Sequence, residues 1–247
     1  MRVTIVGCSG SFPGPDAPAS CYLVEHGGTA VVLDLGNGSL GALQRYVDLD
    51  AVDAVLLTHL HADHCLDLCG YYVYRRYHPE GPRSPIPVYG PSGTAERLAR
   101  AYDMAIDPGM TREFHFTEHG EELEIGPLRI TTARVRHPVA AFAIRIDTGG
   151  RSVVYSGDTG PTPALVELAR DADLALFEAS FLDGGEQPEV HMSARQAGEQ
   201  AALAGVRRLV LTHLVPWNDD ELTLDQARQS YGGEVALARS GLVFDLP

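Results

Sequence analysis

Short apolar runs separated by glycine, proline and small polar residues make up most of the chain, and most are too brief to be helices. Runs at 2–8, 20–25 and 29–35 read as strands. A long turn-rich loop from Gly7 to Ser20 separates the first two and exceeds what a hairpin needs. A short helix is expected from Leu40 to Val47, followed by the apolar run Val52–Leu57, which has the length of a buried strand. Leu66, Gly70, Tyr71, Tyr74 and Tyr77 then recur at helical spacing, and Pro79 ends that element. This tyrosine-rich helix suits core packing or a dimer face better than substrate contact.

Downstream, Ile86–Tyr89 is a short strand, Ser92 is the expected cap of a helix through Met104, and 105–121 carries no clear pattern. Ile125–Val135 and Ala141–Asp147 read as two strands parted by a turn at His137-Pro138, and Ser152–Ser156 as a third. Helices over Pro163–Arg170, from a Ser193 cap to Ala204, and over Leu224–Tyr231 alternate with strands at Leu174–Phe177, Arg208–Leu211, 234–238 and 242–245. Hairpin-like strands that give way to strand–helix alternation predict two sheets with helices outside them.

Composition adds limits. The 247 residues, 45% hydrophobic and 21% charged, suit one globular domain without repeats or low-complexity tracts. The opening Met1-Arg2-Val3-Thr4-Ile5-Val6 is already strand-like, with no charged leader or long apolar run, and four cysteines are too few for a disulfide scaffold. A reducing cytoplasm is the expected location. A net charge of -14 argues against a surface that tracks a long polyanion, although bound metals can still draw a small anion into a pocket. All nineteen basic residues are arginine, from which nothing functional follows.

The candidate chemistry begins where Val52–Leu57 ends. His59-Leu60-His61-Ala62-Asp63-His64 places four metal-binding side chains within six residues, a pattern expected by chance in about one such sequence in a thousand. Imidazole and carboxylate without thiolate suit zinc, and also accept manganese or iron. Three further candidates, His137, Asp158 and His213, each follow a predicted strand. A lone His-Pro is ordinarily a turn and a Gly-Asp-Thr a cap, but repeated delivery from strand ends is how a rigid scaffold converges side chains on one point. Two metals a few ångströms apart hold a hydroxide at neutral pH, clamp a phosphoryl oxygen and stabilise in-line attack. The leaving alkoxide then needs a proton, which His191, oriented by Glu178, has the right pKa range to give. The plainer reading of those two is a hydrogen bond at a helix start.

His59-x-His61-x-Asp63-His64, His137, Asp158 in Ser-Gly-Asp-Thr and His213 in Leu-Thr-His resemble the motifs of the metallo-β-lactamase fold, in the phosphodiesterase-like branch that includes tRNase Z. The resemblance spans residues 1 to about 217. It implies an αββα four-layer sandwich, one zinc held by His59, His61 and His137, and a second held by Asp63, His64 and His213, with Asp158 bridging. Asp63 would also orient the hydroxide. Glu178 in Phe-Glu-Ala-Ser and His191 in His-Met-Ser resemble the branch's downstream motifs, whose His is the proposed proton donor. Dimerisation is likewise expected from the resemblance.

Two departures bear on the substrate. The first loop, Phe12–Pro18, lacks the basic Pro-x-Lys-x-Arg-Asn signature of tRNase Z, and only twenty residues (138–157) separate His137 from Asp158, where most such enzymes insert an arm that grips tRNA. The first loop, Asp-His-Cys-Leu-Asp-Leu, Arg-Arg-Tyr-His-Pro and Leu-Thr-His-Leu-x-Pro-Trp are instead similar to actinobacterial cyclic-nucleotide phosphodiesterases of this fold. A 3′,5′-cyclic nucleotide such as cyclic AMP is therefore the expected substrate. The amides of Ser9, Gly10 and Ser11 are then candidates for phosphate contact, and Trp217 for stacking on a base, against a plain role as a packed loop anchor. A tRNase Z-like endoribonuclease, or a lactonase, thioesterase or arylsulfatase, would use the same cluster. A silent binding protein would have lost ligands. Cys65 and Cys69, at helical i, i+4 spacing, suit buried packing better than a thiolate site.

Overall fold

The structure, a computed structural model, describes residues 1–184 and 189–247. Six strands open the chain: β1 (Arg2–Gly7), β2 (Cys21–His26), β3 (Thr29–Leu33), β4 (Ala54–Leu56), β5 (Ile86–Gly90) and β6 (Phe114–Glu118). Seven follow: β7 (Glu122–Ile125), β8 (Leu128–Arg134), β9 (Phe142–Thr148), β10 (Arg151–Tyr155), β11 (Leu174–Glu178), β12 (Arg208–Thr212) and β13 (Glu234–Leu237). The last strand, β14 (Val243–Asp245), returns to the edge of the first group beside β1.

The two sheets have the orders β14-β1-β2-β3-β4-β5-β6 and β13-β12-β11-β10-β9-β8-β7. Apart from β14, which pairs antiparallel with β1, antiparallel pairs come first along the chain in both sheets and parallel pairs later: β1 to β3 and β7 to β10 are antiparallel, β3 to β6 and β10 to β13 parallel. Helices α1 (Ser39–Leu43), α2 (Ala62–Cys65), α3 (Leu68–Tyr77) and α4 (Thr94–Ala101) belong to the first half, and α5 (Pro163–Leu168), α6 (Ala194–Ala204) and α7 (Asp220–Arg228) to the second.

Three apolar layers hold these elements together. Val3, Ile5, Tyr22 and Leu56 meet Ile144, Val153, Tyr155 and Leu176 between the sheets. Leu43, Leu57, Leu68 and Tyr71 fill the space under the first helices, and Phe177, Ala197, Ala201 and Leu211 that under the second. Strands β4 and β11 are buried along their whole length, because both faces of the central strands are covered. The αββα expectation holds.

Several boundaries differ from the sequence reading. The strand expected over 125–135 is β8, shortened at its start because Gly126, at φ 54, turns the chain; the residues before that turn form β7, which the pattern leaves unassigned and which pairs back on β8. The patternless stretch 105–121 contains β6, an edge strand whose exposed residues hide its alternation. Ser92 does not cap α4; Gly93, at φ 85, starts it. The last helix begins at Asp220 rather than Leu224, because the Asp219 carboxylate accepts from the Leu222 amide. Ser193 caps α6 as expected, with a reciprocal bond from the Gln196 side chain. The tyrosine-rich helix packs mainly inward: Tyr71 and Tyr72 are buried, and Tyr77 is exposed. Among the described residues no helix is long and apolar enough to cross a membrane.

Candidate metal centre

In the first half, the parallel pairing of β3 with β4 brings their carboxyl ends together, so Asp34 lies beside Thr58. Asp34 is fully buried at φ 56, a left-handed conformation that Asp tolerates better than most residues. Its Oδ1 accepts from the Thr58 amide at 2.7 Å, and its Oδ2 from the Thr58 hydroxyl at 2.8 Å, the Tyr155 hydroxyl at 2.9 Å and His64 Nδ1 at 2.7 Å. Because the Thr58 hydroxyl donates to Asp34, it accepts from His59 Nδ1 at 3.1 Å. The Thr58 bond leaves His59 Nε2 with a free lone pair, and the Asp34 bond holds a proton on His64 Nδ1, so that loss of the second proton from His64 frees its Nε2. His61 precedes the first turn of α2, which carries Asp63 and His64. Gly36 lies under that turn: a Cβ there would stand 1.9 Å from the Asp63 carbonyl oxygen, so only glycine fits.

The second half supplies its groups singly. His137 follows β8; its Nδ1 donates to the Val190 carbonyl at 3.0 Å, and its Nε2 stands 3.3 Å from His61 Nδ1. Asp158 follows β10, with Oδ1 3.2 Å from His64 Nε2, and Oδ2 3.6 Å from His59 Nε2 and 3.4 Å from His213 Nε2. His213 follows β12 at φ 53, its Nε2 3.2 Å from Asp63 Oδ2. Behind it, His213 Nδ1 donates to Ser180 Oγ, and Ser180 Oγ to Glu178 Oε2, both at 2.8 Å. Fully buried Glu178 also accepts, on Oε1, from the Thr159 amide and from His191 Nδ1, each at 2.8 Å.

All seven sequence-predicted ligands therefore converge, as two groups that share Asp158: His59, His61 and His137 in one, Asp63, His64 and His213 in the other. The donor set fits a divalent metal on independent grounds. His59 Nε2 is 3.1 Å from His61 Nδ1, which is 3.3 Å from His137 Nε2. Burial lowers the pKa of all three imidazoles, and His59 and His137 commit their Nδ1 protons to Thr58 and Val190, so two Nε2 lone pairs face the single His61 Nδ1, which can donate to only one of them. Two ligands about 2.05 Å from a tetrahedral ion stand about 3.3 Å apart, which is the observed spacing. Among the described residues His64 Nε2 and Asp158 Oδ1 are buried 3.2 Å apart, outside hydrogen-bond geometry and without another hydrogen-bond partner, an arrangement that a cation between them relieves. Burial raises the carboxyl pKa of Asp63 and Asp158, but the neighbouring imidazoles, His213 foremost, outweigh it and keep both ionised. At His64 burial opposes protonation, and Asp158 and Asp34 override it, so metal binding there displaces a proton.

His191 lies outside these two groups. Its ring stacks on that of His213, with centroids 5.6 Å apart and planes at 12°. Burial works against its protonation, but the hydrogen bond and charge of Glu178 raise its pKa to about 9. Of the first-loop amides, Ser9 donates to the Pro18 carbonyl and Gly10 to that of Leu214, whereas Ser11 points at His213 Nε2 from 3.4 Å. Only the Ser11 amide faces the centre. Trp217 is 70% exposed and leans on Phe12, with ring centroids 5.8 Å apart, so it does not anchor its loop in the core. Cys65 donates to the His61 carbonyl and Cys69 to that of Leu98; burial pushes the Cys65 thiol up to about 12, which keeps it from acting as a thiolate. Sequence reasoning passed over Asp34, Thr58, Tyr155 and Ser180. Asp34 had a usable signal, since it directly follows the apolar stretch ending at Leu33, much as His137, Asp158 and His213 follow theirs.

Comparison with known proteins places this geometry. The family described as the Beta-lactamase superfamily domain matches residues 29–214. An uncharacterized protein of Mycobacterium leprae is 46% identical over 254 residues, covering 100% of this chain and 89% of that one. The probable metallo-hydrolase YhfI of Bacillus subtilis is 30% identical over 254 residues, covering 99% of this chain and all of its own. Its crystal structure superposes with a TM-score of 0.88 over 99% of both chains. Ribonuclease Z of Myxococcus xanthus is 29% identical over 303 residues, covering 100% of this chain and 98% of that one.

Proposed function

The chain belongs to the β-lactamase superfamily as a metal-dependent hydrolase related to ribonuclease Z, and from that premise we propose that it hydrolyses a small phosphodiester, a 3′,5′-cyclic nucleotide such as cyclic AMP. The observation that carries this reading is the connection between His137 and Asp158. It is only the β9–β10 hairpin, closed by Gly149 and Gly150, with no arm to hold a large RNA. The absence of basic residues from Phe12–Pro18 and the net charge of -14 support it.

Two divalent ions, zinc by donor type with manganese or iron acceptable, would occupy the two groups that share Asp158 and supply Lewis acidity and an acidified water. The protein's own residues do the remainder. Asp63 both ligates and orients the attacking water, and the Ser11 amide is placed to donate to a phosphoryl oxygen. His191, held by Glu178 through Nδ1, keeps its Nε2 proton for the departing alkoxide. A cytoplasmic homodimer is the expected working form.

Whole-length similarity to ribonuclease Z keeps a second reading open, cleavage of precursor tRNA. Rates on 3′,5′-cyclic AMP and on a precursor tRNA, with metal content measured on the same sample, decide between them. Faster cleavage of the tRNA would sink the small-diester reading, and turnover confined to lactones or thioesters would sink both.

A further inference from the structure

Beside the centre lies a cavity of about 370 Å³ in which His61 forms one wall. Leu60, Pro91, Val139 and Ala140 make it largely apolar, and Arg97 is its cationic residue. Arg97 is half-buried, and its one hydrogen bond, from Nε to the Leu60 carbonyl at 3.3 Å, fixes the stem while the two terminal nitrogens of the guanidinium have neither acceptor nor carboxylate among the described residues. In a chain with 33 acidic and 19 basic residues, a half-buried arginine without an acidic partner among the described residues, against a candidate metal ligand, leaves its terminal donors available to a ligand. Apolar walls suit a flat ring better than a second phosphate. An unpartnered fork of N–H donors suits a ring edge that presents acceptors.

Resting on the phosphodiesterase reading, we infer that this cavity holds the purine base of the substrate, with Arg97 donating to N7. Adenine and guanine both offer N7, guanine adds O6 as a second acceptor, and pyrimidines lack the five-membered ring that carries N7. Arg97 is then a specificity-determining residue on the His61 side of the centre. The rival position for the base is the exposed face of Trp217, in the loop that follows His213.

The test is steady-state kinetics on the metal-loaded protein with cyclic AMP, cyclic GMP, cyclic CMP and bis(p-nitrophenyl) phosphate. Arg97→Met should raise KM for the purine substrates roughly tenfold, cyclic GMP at least as much as cyclic AMP, with kcat and the base-free diester unchanged. Arg97→Lys, which retains charge but not the fork, should recover only part of the loss, and equal melting temperatures confirm that both variants fold. An unchanged KM, an equal loss on bis(p-nitrophenyl) phosphate, or no preference of the wild type for purines over cyclic CMP would overturn the inference. Calorimetric binding of AMP, GMP and inorganic phosphate decides it even if no cyclic nucleotide is hydrolysed, an outcome that defeats the phosphodiesterase reading by itself. Weaker binding of the two nucleotides alone in Arg97→Met supports the base pocket, and equal weakening of phosphate shows that Arg97 reads an anion instead.

Discussion

The two halves of the molecule build the same antiparallel-then-parallel sheet yet deliver metal ligands in opposite ways. The first half concentrates four of them between His59 and His64, and the second spends three separate strand ends on His137, Asp158 and His213. Each half also places a buried carboxylate behind its ligands. Asp34 touches His64 directly and controls His59 through Thr58, whereas Glu178 reaches His213 only through Ser180 and also holds His191. The carboxylate of the first half thus supports ligands alone, whereas that of the second supports a ligand and also holds His191, the proton donor of the proposed mechanism.

The largest effect is expected where the halves meet. Asp158 approaches His59 and His64 from one half and His213 from its own, so Asp158→Ala opens both groups at once. Loss of several kcal/mol of charge stabilisation corresponds to a fall in kcat on the order of 10³-fold. Elemental analysis should show less bound metal in the same variant; full metal occupancy would mean that the halves bind independently.

Next in size is the contrast between the two carboxylate systems. Asp34→Ala strands the Thr58 amide, the Tyr155 hydroxyl and a buried imidazole, at a cost of about 3–5 kcal/mol, and should weaken metal affinity by about 10–100-fold. Ser180→Ala removes one neutral link and should cost about 1 kcal/mol, with a smaller change in affinity. Chemical denaturation and competition with a chelator measure both, and equal losses would erase the distinction between direct and relayed support.

That contrast also explains what could be read from the sequence. The first-half ligands announce themselves by spacing, because one loop and one helical turn hold all four. The second-half ligands are distant in sequence and were legible only as a coincidence of strand ends. Asp34 stayed hidden because its role depends on a parallel pairing that brings residue 34 against residue 58, and Ser180 because a hydroxyl bridging two groups carries no periodic signature. Strand β7 carries little signal because exposed Glu122 and Glu124 leave a four-residue edge strand with only two apolar positions.

A smaller effect separates proton delivery from ligation in the second half. Glu178 raises His191 to about 9 against the pull of burial, so the imidazolium should persist, and with it activity toward a poor leaving group, until pH rises through that value. Glu178→Gln removes the charge that raises His191 most, leaves Asp158 as the remaining opposing charge, and should move the alkaline limb of kcat to lower pH by at least about one unit. His191→Ala should abolish the limb and slow a poor leaving group far more than p-nitrophenolate. Undiminished turnover of the poor leaving group in His191→Ala would return His191 to a structural role.

The smallest effect tests whether ligand delivery and substrate contact fall on different sides of the centre. Trp217 follows His213 by four residues but is 70% exposed and meets only the Phe12 ring among described aromatic partners. Removing so exposed a side chain should change stability by under about 0.5 kcal/mol. If the base lies against Arg97, Trp217→Ala should leave KM for cyclic AMP within about twofold, below the 0.5–1.5 kcal/mol of a well-formed aromatic stack. A tenfold rise, with Arg97→Met silent, would put the base on the His213 side, so that the second half would supply the recognition surface as well as the proton.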